Sequence, residues 1–158
     1  MPTHVHLKRL NCLWTSRPLF FITVCVADRR PILNQAPVVA LLLKEWRAAR
    51  QRHGWLVGRY VVMPDHVHFF CAPAPDAEAQ TLARFMGRWK EWTAKGMAAC
   101  AGIAAPVWQP QFFDHLLRSR ESYVEKWAYV RENPVRAGLV PNAAQWPFAG
   151  HVDFDEPL

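Results

Sequence analysis

The chain has 158 residues, a length that suits one domain of roughly 150 residues with a sizeable buried core. About half of the residues (51%) are apolar and 20% are charged, a composition that excludes a disordered or low-complexity chain. Nineteen Lys and Arg residues against thirteen Asp and Glu leave a formal net charge of +6, which permits nucleic-acid binding.

The hydrophobic pattern predicts one domain over residues 1–158, with no segment that spans a membrane. The most apolar stretch, residues 18–27, is too short to cross a bilayer, and we predict that it forms a buried strand. No apolar signal segment follows the basic side chains of the N-terminus. We therefore expect a cytoplasmic protein with no membrane partner.

Apolar periodicity and turn residues predict the remaining elements. In chain order they are a helix at 37–53, strands at 55–63 and 66–72, a helix at 76–99, a strand at 112–118 and a helix at 119–133. Asp76 is predicted to cap the second helix, and Trp92 to lie on its buried side. This order predicts an α+β fold, with a ferredoxin-like antiparallel sheet, both long helices on one face, and a further C-terminal helix.

Two histidines stand two residues apart at the start of the predicted strand at 66–72. Because side chains alternate along a strand, His66 and His68 share one face and can bind the same divalent metal ion. The alternative is a pair of half-exposed histidines without a ligand, which is the favoured interpretation for an isolated His-x-His. His4 and His6 have the same spacing, and we interpret that pair as incidental.

The last predicted helix carries two tyrosines on different faces. At about 100° per residue, Tyr123 lies on the apolar stripe and Tyr129 lies about 120° away from it. Glu125 and Asn133 each stand four residues from Tyr129 and share its face. A solvated face with an exposed tyrosine would have the same pattern, so the helix alone does not choose between the two interpretations.

Three stretches occur in a fixed order along the chain: VVMPDHVHF at 61–69, WQPQFFDHLLR at 108–118 and YVRENPVRAGLV at 129–140. FFITV at 20–24, followed by DRRPIL at 28–33, precedes them. Together they resemble the REP-associated tyrosine transposases, which are single-tyrosine members of the HUH (His-hydrophobic-His) nuclease superfamily. The resemblance covers roughly residues 17–148.

The resemblance implies a metal-dependent site on the motif residues. His66 and His68 match the HUH histidines, and Asn133 matches the third metal ligand. Tyr129 matches the nucleophile and stands off the apolar stripe, unlike its rival Tyr123. The implied cofactor is Mg²⁺ or Mn²⁺, and neutral nitrogen ligands suit Mn²⁺ better because Mg²⁺ prefers oxygen. Further candidates for a supporting role are Asp114, His115 and Glu125.

The resemblance also implies the substrate and the reaction. The substrate is single-stranded DNA near palindromic hairpins, and the protein acts as a monomer or a homodimer. Attack by Tyr129 on a DNA phosphate gives a 5′-phosphotyrosine and a free 3′-OH, and the DNA can be rejoined without ATP. Candidates for contacts with the DNA are Arg9, Arg17, Arg29, Arg30, Arg84, Arg88, Lys90, Arg118 and Arg136.

Three other functions use the same residues differently. A replication initiator or relaxase would share the site, but such proteins are often longer. A hairpin-binding module would lack cleavage, although the complete set of His66, His68, Tyr129 and Asn133 counts against it. A hydrolytic metal phosphodiesterase would form no covalent protein–DNA adduct.

Overall fold

The computed structural model describes residues 17–157, so Arg9, His4 and His6 lie outside the described residues. The strands are β1 (Leu19–Cys25), β2 (Trp55–Val62), β3 (His66–Pro73), β4 (Phe113–Leu117) and β5 (Ala149–His151). The helices are α1 (Ala36–Arg47), α2 (Ala49–His53), α3 (Leu82–Ala101), α4 (Arg120–Arg131) and α5 (Asn133–Arg136). Within 17–157, no helix is both long enough and apolar enough to span a bilayer.

The strands form one antiparallel sheet in the order β4-β1-β3-β2-β5. The first four have the predicted ferredoxin-like arrangement, and β2 and β3 form the predicted hairpin. The hairpin is closed by a 2.8 Å hydrogen bond from the backbone N–H of Met63 to the carbonyl of His66. The sequence pattern does not predict β5, because three residues are too few for a recognisable period.

Apolar side chains cover both faces of the sheet. On one face, α1 and α3 pack over Ile22 and Phe69, which confirms the prediction that both long helices share a face. On the other face, α4 packs against the sheet through Tyr123 and Val130. Because both faces are covered, the central strands are buried on both sides and their sequences are almost continuously apolar.

The single helix predicted at 37–53 is wrong, because α1 and α2 are separate helices that meet at Ala48. The buried residues of α2 are Ala49 and His53. Nδ1 of His53 lies 3.1 Å from Oε1 of Gln80, a tertiary contact that apolar periodicity does not reveal. Gly54 ends α2 with a φ of 76°, in the left-handed region that glycine adopts without steric cost.

The second long helix does not begin at Asp76 as predicted. It begins at Leu82, and Oγ1 of Thr81 caps it by accepting a 3.2 Å hydrogen bond from the backbone N–H of Arg84. The Asp76 carboxylate instead accepts a 2.6 Å hydrogen bond from Arg50. An Asp and a Thr both favour an N-cap, so local preference alone does not locate the first turn.

The predicted burial of Trp92 is also wrong, since this side chain is 47% exposed. Thr93 and Met97 occupy the buried stripe instead, four and eight residues after Trp89. Oγ1 of Thr93 accepts a 2.9 Å hydrogen bond from the indole N–H of Trp108. Apolar periodicity favours Trp92 for the buried stripe, but the adjacent hydroxyl residue Thr93 is buried there because its side chain forms hydrogen bonds.

The third predicted helix is confirmed in position. Ser119 caps α4, because its Oγ accepts a 3.0 Å hydrogen bond from the backbone N–H of Ser122. The helix ends at Arg131, and Pro134 lies in the first turn of α5. A proline is tolerated in a first turn but interrupts a helix interior, so a short second helix carries the residues after Asn133.

Candidate active site

The histidines of the His-x-His motif lie side by side on the sheet face that α4 covers. In the sheet register, His68 pairs with Thr23 of β1, and His66 pairs with Cys25. The ring centroids of His66 and His68 are 4.8 Å apart, with an interplanar angle of 80°. The two imidazoles are therefore neighbours, as the alternation of side chains along the strand predicts.

Each of these histidines uses its Nδ1 atom in a hydrogen bond within the protein. Nδ1 of His66 lies 2.8 Å from Oδ1 of Asp65, and Nδ1 of His68 lies 2.8 Å from Oγ1 of Thr23. Neither Nε2 atom has a hydrogen-bond partner among residues 17–157. The two Nε2 atoms are thus the ones left to bind a ligand.

Arg29 holds the other oxygen of the Asp65 carboxylate. Nε of Arg29 lies 2.9 Å from Oδ2 of Asp65, and a guanidinium nitrogen lies 3.0 Å from Sγ of Cys25. Burial alone would raise the pKa of Asp65, but the hydrogen bonds and charges of His66 and Arg29 together lower it. Asp28 and Arg29 have φ values of 58° and 52°, a left-handed conformation that costs about 1 kcal/mol or more at non-glycine residues.

Burial and the surrounding positive charges lower the pKa of His68 to about 3. The charges, in order of their effect, belong to His66, Lys126, Arg29 and Arg136. At neutral pH the His68 ring is therefore neutral and keeps a lone pair for a metal ion. The cations that disfavour a second proton on this ring would equally favour an anion beside it.

Tyr129 and Asn133 lie together through a shared contact with Arg136. The Arg136 guanidinium carbon lies 3.9 Å from the Tyr129 ring centroid, and Nη2 donates a 2.7 Å hydrogen bond to the Tyr129 carbonyl. The same guanidinium donates to Oδ1 of Asn133. Tyr129 is 64% exposed, whereas Asn133 is partly buried. No hydrogen bond joins Asn133 to either histidine within the described residues, so the third ligand stays a prediction.

Tyr123 has the opposite environment. Its side chain is only 2% exposed, and its ring centroid lies 4.8 Å from that of Phe70. Its hydroxyl donates a 2.7 Å hydrogen bond to the backbone carbonyl of Asp155, and burial raises its pKa to about 12. A buried phenol that is hard to ionise and already donates its proton is poorly placed for nucleophilic attack.

A cavity of about 360 Å³ lies between β4 and α4. Its lining comprises His115, Leu117, Ser122, Glu125, Lys126 and Tyr129. The structure therefore brings two of the predicted supporting residues, His115 and Glu125, to the same cavity as the predicted nucleophile. Asp114 pairs with Ile22 in the sheet register and lies on the opposite face, toward α1 and α3.

Four of the basic residues predicted to contact DNA lie in two places: two are near His66 and His68, and two are at the ends of strands. Arg29 and Arg136 lie near the histidines, where both affect the pKa of His68. Arg17 precedes β1 and Arg118 follows β4. Since Leu19 pairs with Leu117, these two arginines stand at the sheet end opposite to Cys25 and His66.

The other described candidates lie elsewhere. Arg84, Arg88 and Lys90 belong to α3, across the sheet from the histidines. Nζ of Lys90 donates a 2.6 Å hydrogen bond to the carbonyl of Gln109. Arg30 donates to the backbone carbonyls of Ala104 and Pro106. Lys90 and Arg30 therefore stabilise the segment between α3 and β4 in this structure.

Sequence reasoning missed three residues of this surface: Thr23, Phe113 and Lys126. Thr23 contacts His68 directly, and Phe113 pairs with Thr23 and is 72% exposed. Lys126 stands three residues before Tyr129, so helical spacing could have placed it on the same face. The positions of Thr23 and Phe113 depend on strand register, for which the sequence offers no signal.

The donor set fits a divalent metal ion. Metal-binding histidines usually donate their second ring N–H to a fixed acceptor, and Asp65 and Thr23 occupy those positions here. Within 17–157, no three side chains drawn from His, Cys, Asp and Glu form a metal-binding group. Among residues 17–157, a third protein ligand would be of another type, and the resemblance implies the Asn133 amide oxygen, which now accepts a hydrogen bond from Arg136.

Comparison with known proteins relates this site to one family. No family model matches the chain. The chain is 29% identical over 131 residues to the REP-associated tyrosine transposase of Escherichia coli, covering 82% of this chain and 74% of that protein. It is 21% identical over 148 residues to a putative REP-associated tyrosine transposase of Haemophilus influenzae, covering 86% and 81% of the two chains.

Two solved structures share the fold. A REP-associated tyrosine transposase bound to a REP hairpin aligns with a TM-score of 0.63 at 24% identity, over 84% of this chain and 75% of that one. A putative transposase from Deinococcus radiodurans aligns with a TM-score of 0.55 at 18% identity, over 73% and 90%. The resemblance of this chain to the REP-associated tyrosine transposases, predicted from its motifs, is thus confirmed in sequence and in fold.

Proposed function

We propose that this protein is a metal-dependent single-stranded DNA endonuclease and strand transferase, with Tyr129 as its nucleophile. The observation that carries the proposal is the contrast between its two tyrosines on α4. Tyr129 is exposed beside a cavity with Lys126 and His115, on the sheet face of the histidines. Tyr123 is buried and donates its proton to the backbone. The similarity to transposases supports an enzyme that acts on DNA.

The proposed reaction is a transesterification at a DNA phosphate. The Tyr129 oxygen attacks the phosphorus, its bond to phosphorus forms, and the bond from phosphorus to the 3′-oxygen breaks. The phenol loses one proton and the leaving 3′-oxygen gains one, so the step is balanced. Attack of a 3′-hydroxyl on the phosphotyrosine reverses these changes and rejoins the strand.

The surrounding residues prepare the phosphate and the phenol. Arg136 contacts the Tyr129 ring and backbone, which restricts the orientation of the side chain. Positive charges on Arg29, Lys126 and Arg136 attract the phosphate to the sheet face that carries His66 and His68, called the histidine face below.

We propose that His66, His68 and Asn133 would hold Mg²⁺ or Mn²⁺. Bound there, the ion would supply Lewis-acid polarisation of the phosphate oxygens. Asp65 and Thr23 orient the two imidazoles, so that their Nε2 atoms are directed for binding.

Single-stranded DNA is the substrate class that suits this face best. Phe113 exposes 72% of its side chain on edge strand β4, across from Thr23. An exposed ring on a sheet face that also carries cations is typical of surfaces that stack unpaired bases and bind the backbone. The solved transposase with the same fold is bound to a REP hairpin, which supports a hairpin-bearing strand as the partner of this chain.

Trapping the covalent adduct tests the proposal. The protein is incubated with Mn²⁺ and labelled single strands that carry hairpins from the flanks of its own gene, and the products are run on denaturing gels. We expect a protein–DNA adduct from the wild type and from Tyr123→Phe, but none from Tyr129→Phe. The His66→Ala and His68→Ala variants are expected to bind the strand without cleaving it.

The alternatives give different patterns in the same experiment. Cleaved DNA without an adduct would indicate a hydrolytic phosphodiesterase. Binding without cleavage by the wild type would indicate a hairpin-binding module. An adduct that is lost only in Tyr123→Phe would reject Tyr129 as the nucleophile.

A further inference from the structure

Lys126 lies one helical turn before Tyr129, on the side of α4 that faces β4. Its Nζ lies 5.1 Å from the ring centroid of Phe21, and the Phe21 ring stacks on His68 with 5.2 Å between centroids. The ammonium group is thus positioned by an aromatic ring that also contacts a predicted metal ligand. It lines the same cavity as Tyr129 and His115.

Lys126 differs from the other cations of this face in its contacts. Arg29 forms an ion pair with Asp65, and Arg136 donates hydrogen bonds to Asn133 and to the Tyr129 carbonyl. Within residues 17–157, Lys126 forms no ion pair with a carboxylate, although it is partly buried. The Lys126 ammonium group is therefore available to bind an anionic ligand.

The cavity has the size and chemistry for one nucleotide. Its volume of about 360 Å³ lies in the range of small-ligand sites, which starts near 300 Å³. Leu117 contributes an apolar surface, Ser122 and His115 contribute hydrogen-bonding groups, and Glu125 contributes a carboxylate to the same lining. Tyr129 lines the same space, so a nucleotide in the cavity would be adjacent to the predicted nucleophile.

We propose that this cavity binds one nucleotide of the DNA strand cleaved by Tyr129, and that Lys126 binds its phosphate. The inference rests on the proposed function, since it takes single-stranded DNA as the substrate. It adds a defined subsite and a phosphate contact that is separate from the predicted metal ligands. In this proposal Lys126 is a substrate-binding residue, because its ammonium group would contact a phosphate oxygen.

A scan with neutral phosphates tests this contact without any cleavage. Oligonucleotides with a single methylphosphonate, moved one position at a time around the cleavage site, are titrated against protein carrying Tyr129→Phe. We expect a neutral phosphate to weaken binding at each position that contacts a cation of this face, and by about tenfold at the position bound by Lys126, the usual loss for a hydrogen bond to a charged group. In the double variant Tyr129→Phe/Lys126→Gln, we expect the methylphosphonate at the Lys126 position to cause no further loss of binding affinity.

Matched variants separate this contact from general charge and from folding. Lys126→Met keeps an aliphatic side chain near Phe21 and should lose the effect of the methylphosphonate, as Lys126→Gln does. Lys126→Arg should keep the effect seen with Lys126. Lys44→Gln removes the same charge from α1, across the sheet, and should leave the scan unchanged. The proposal would be overturned if the effects of Lys126→Gln and of the methylphosphonate on affinity were additive at every position. It would also be overturned if Lys44→Gln removed the effect of the methylphosphonate in the same way. The methylphosphonate scan measures only binding. If the adduct experiment shows no covalent adduct, the proposed function is rejected, but the scan still tests whether Lys126 binds a phosphate.

Discussion

The hydroxyl of Thr23 lies 2.8 Å from Nδ1 of His68, and the two residues pair across β1 and β3. The His68 ring is also stacked against Phe21, with 5.2 Å between centroids. One strand therefore fixes both the position of the ring and the partner of its Nδ1 atom. This arrangement leaves Nε2 without a partner among residues 17–157, and we therefore expect Thr23 to be a positioning residue for the predicted metal site.

Thr23→Val is expected to weaken metal binding while the fold is kept. Valine preserves the branched shape and removes only the hydroxyl, so the His68 ring loses its hydrogen-bond partner. Loss of such a partner typically costs about 10- to 100-fold in metal affinity. Titration with Mn²⁺, followed by electron paramagnetic resonance, measures the change, with His68→Ala as the reference for a lost ligand. An unchanged Mn²⁺ affinity in Thr23→Val would contradict this role.

Phe113→Ala is expected to weaken binding of single-stranded DNA. Phe113 is 72% exposed, and β4 is an edge strand beside the histidine face. Loss of one stacked base typically costs about 1–3 kcal/mol, and fluorescence anisotropy with a labelled strand would detect it. Little change in stability is expected, because the ring is mostly in solvent.

Trp92→Ala provides the control for Phe113. Trp92 is also exposed, at 47%, but it lies on α3 near Arg52 and Lys95, across the sheet from the histidines. We expect its removal to leave DNA affinity unchanged. The reverse result, with affinity lost only in Trp92→Ala, would place the strand on the α3 face.

Binding should depend strongly on salt. Arg29, Lys126 and Arg136 surround His68, and if each neutralises one phosphate of a single strand, the slope of log K against log salt is about −2. Affinities measured at several salt concentrations give this slope. Arg88→Gln, on the other side of the sheet, should leave the slope unchanged. A flat dependence would mean that base stacking dominates.

Tyr123→Phe should lower stability and preserve adduct formation. The change removes the 2.7 Å hydrogen bond from the Tyr123 hydroxyl to the Asp155 carbonyl and leaves the ring on Phe70. A loss of about 1 kcal/mol is expected, or about 2–4 °C in Tm for a chain of this size. Thermal unfolding followed by circular dichroism measures it. A variant as stable as the wild type would show that the hydroxyl contributes no net stability.

Asp153→Asn should stabilise the protein at neutral pH. Burial raises the pKa of Asp153, and the hydrogen bond from the Val57 N–H and the charge of Arg50 offset this only in part. The folded protein therefore binds this proton more tightly than the unfolded chain. The contribution of Asp153 to stability is greatest below its unfolded pKa and declines as pH rises through its folded pKa.

Urea unfolding at several pH values measures this effect. Asparagine can still accept the hydrogen bond from Val57 without a charge, so the advantage of the variant should appear near pH 7 and shrink in acid. A variant that is less stable than the wild type at pH 7 would show that the charged hydrogen bond outweighs the cost of burial.

The sequence predicted most of the sheet and the pair of histidines, because both follow from local periodicity. Alternation along one strand is enough to place His66 and His68 on the same face, and helical spacing is enough to separate Tyr123 from Tyr129. Boundaries were less predictable. The start of α3 depended on whether Thr81 or Asp76 capped it, and the pairing of Asp76 with Arg50 is a tertiary contact.

By itself, then, the sequence determined the order of the elements, the shared face of the histidines and the family resemblance. Only the tertiary structure decided which residues meet across that face. Thr23 reaches His68, and Lys126 lies over Phe21, through strand register and the packing of α4 on the sheet. Asp114 and His115 are neighbours in the chain, yet the sheet separates them. Such contacts join residues far apart in sequence, and their geometry depends on how the whole core packs, which no local pattern encodes.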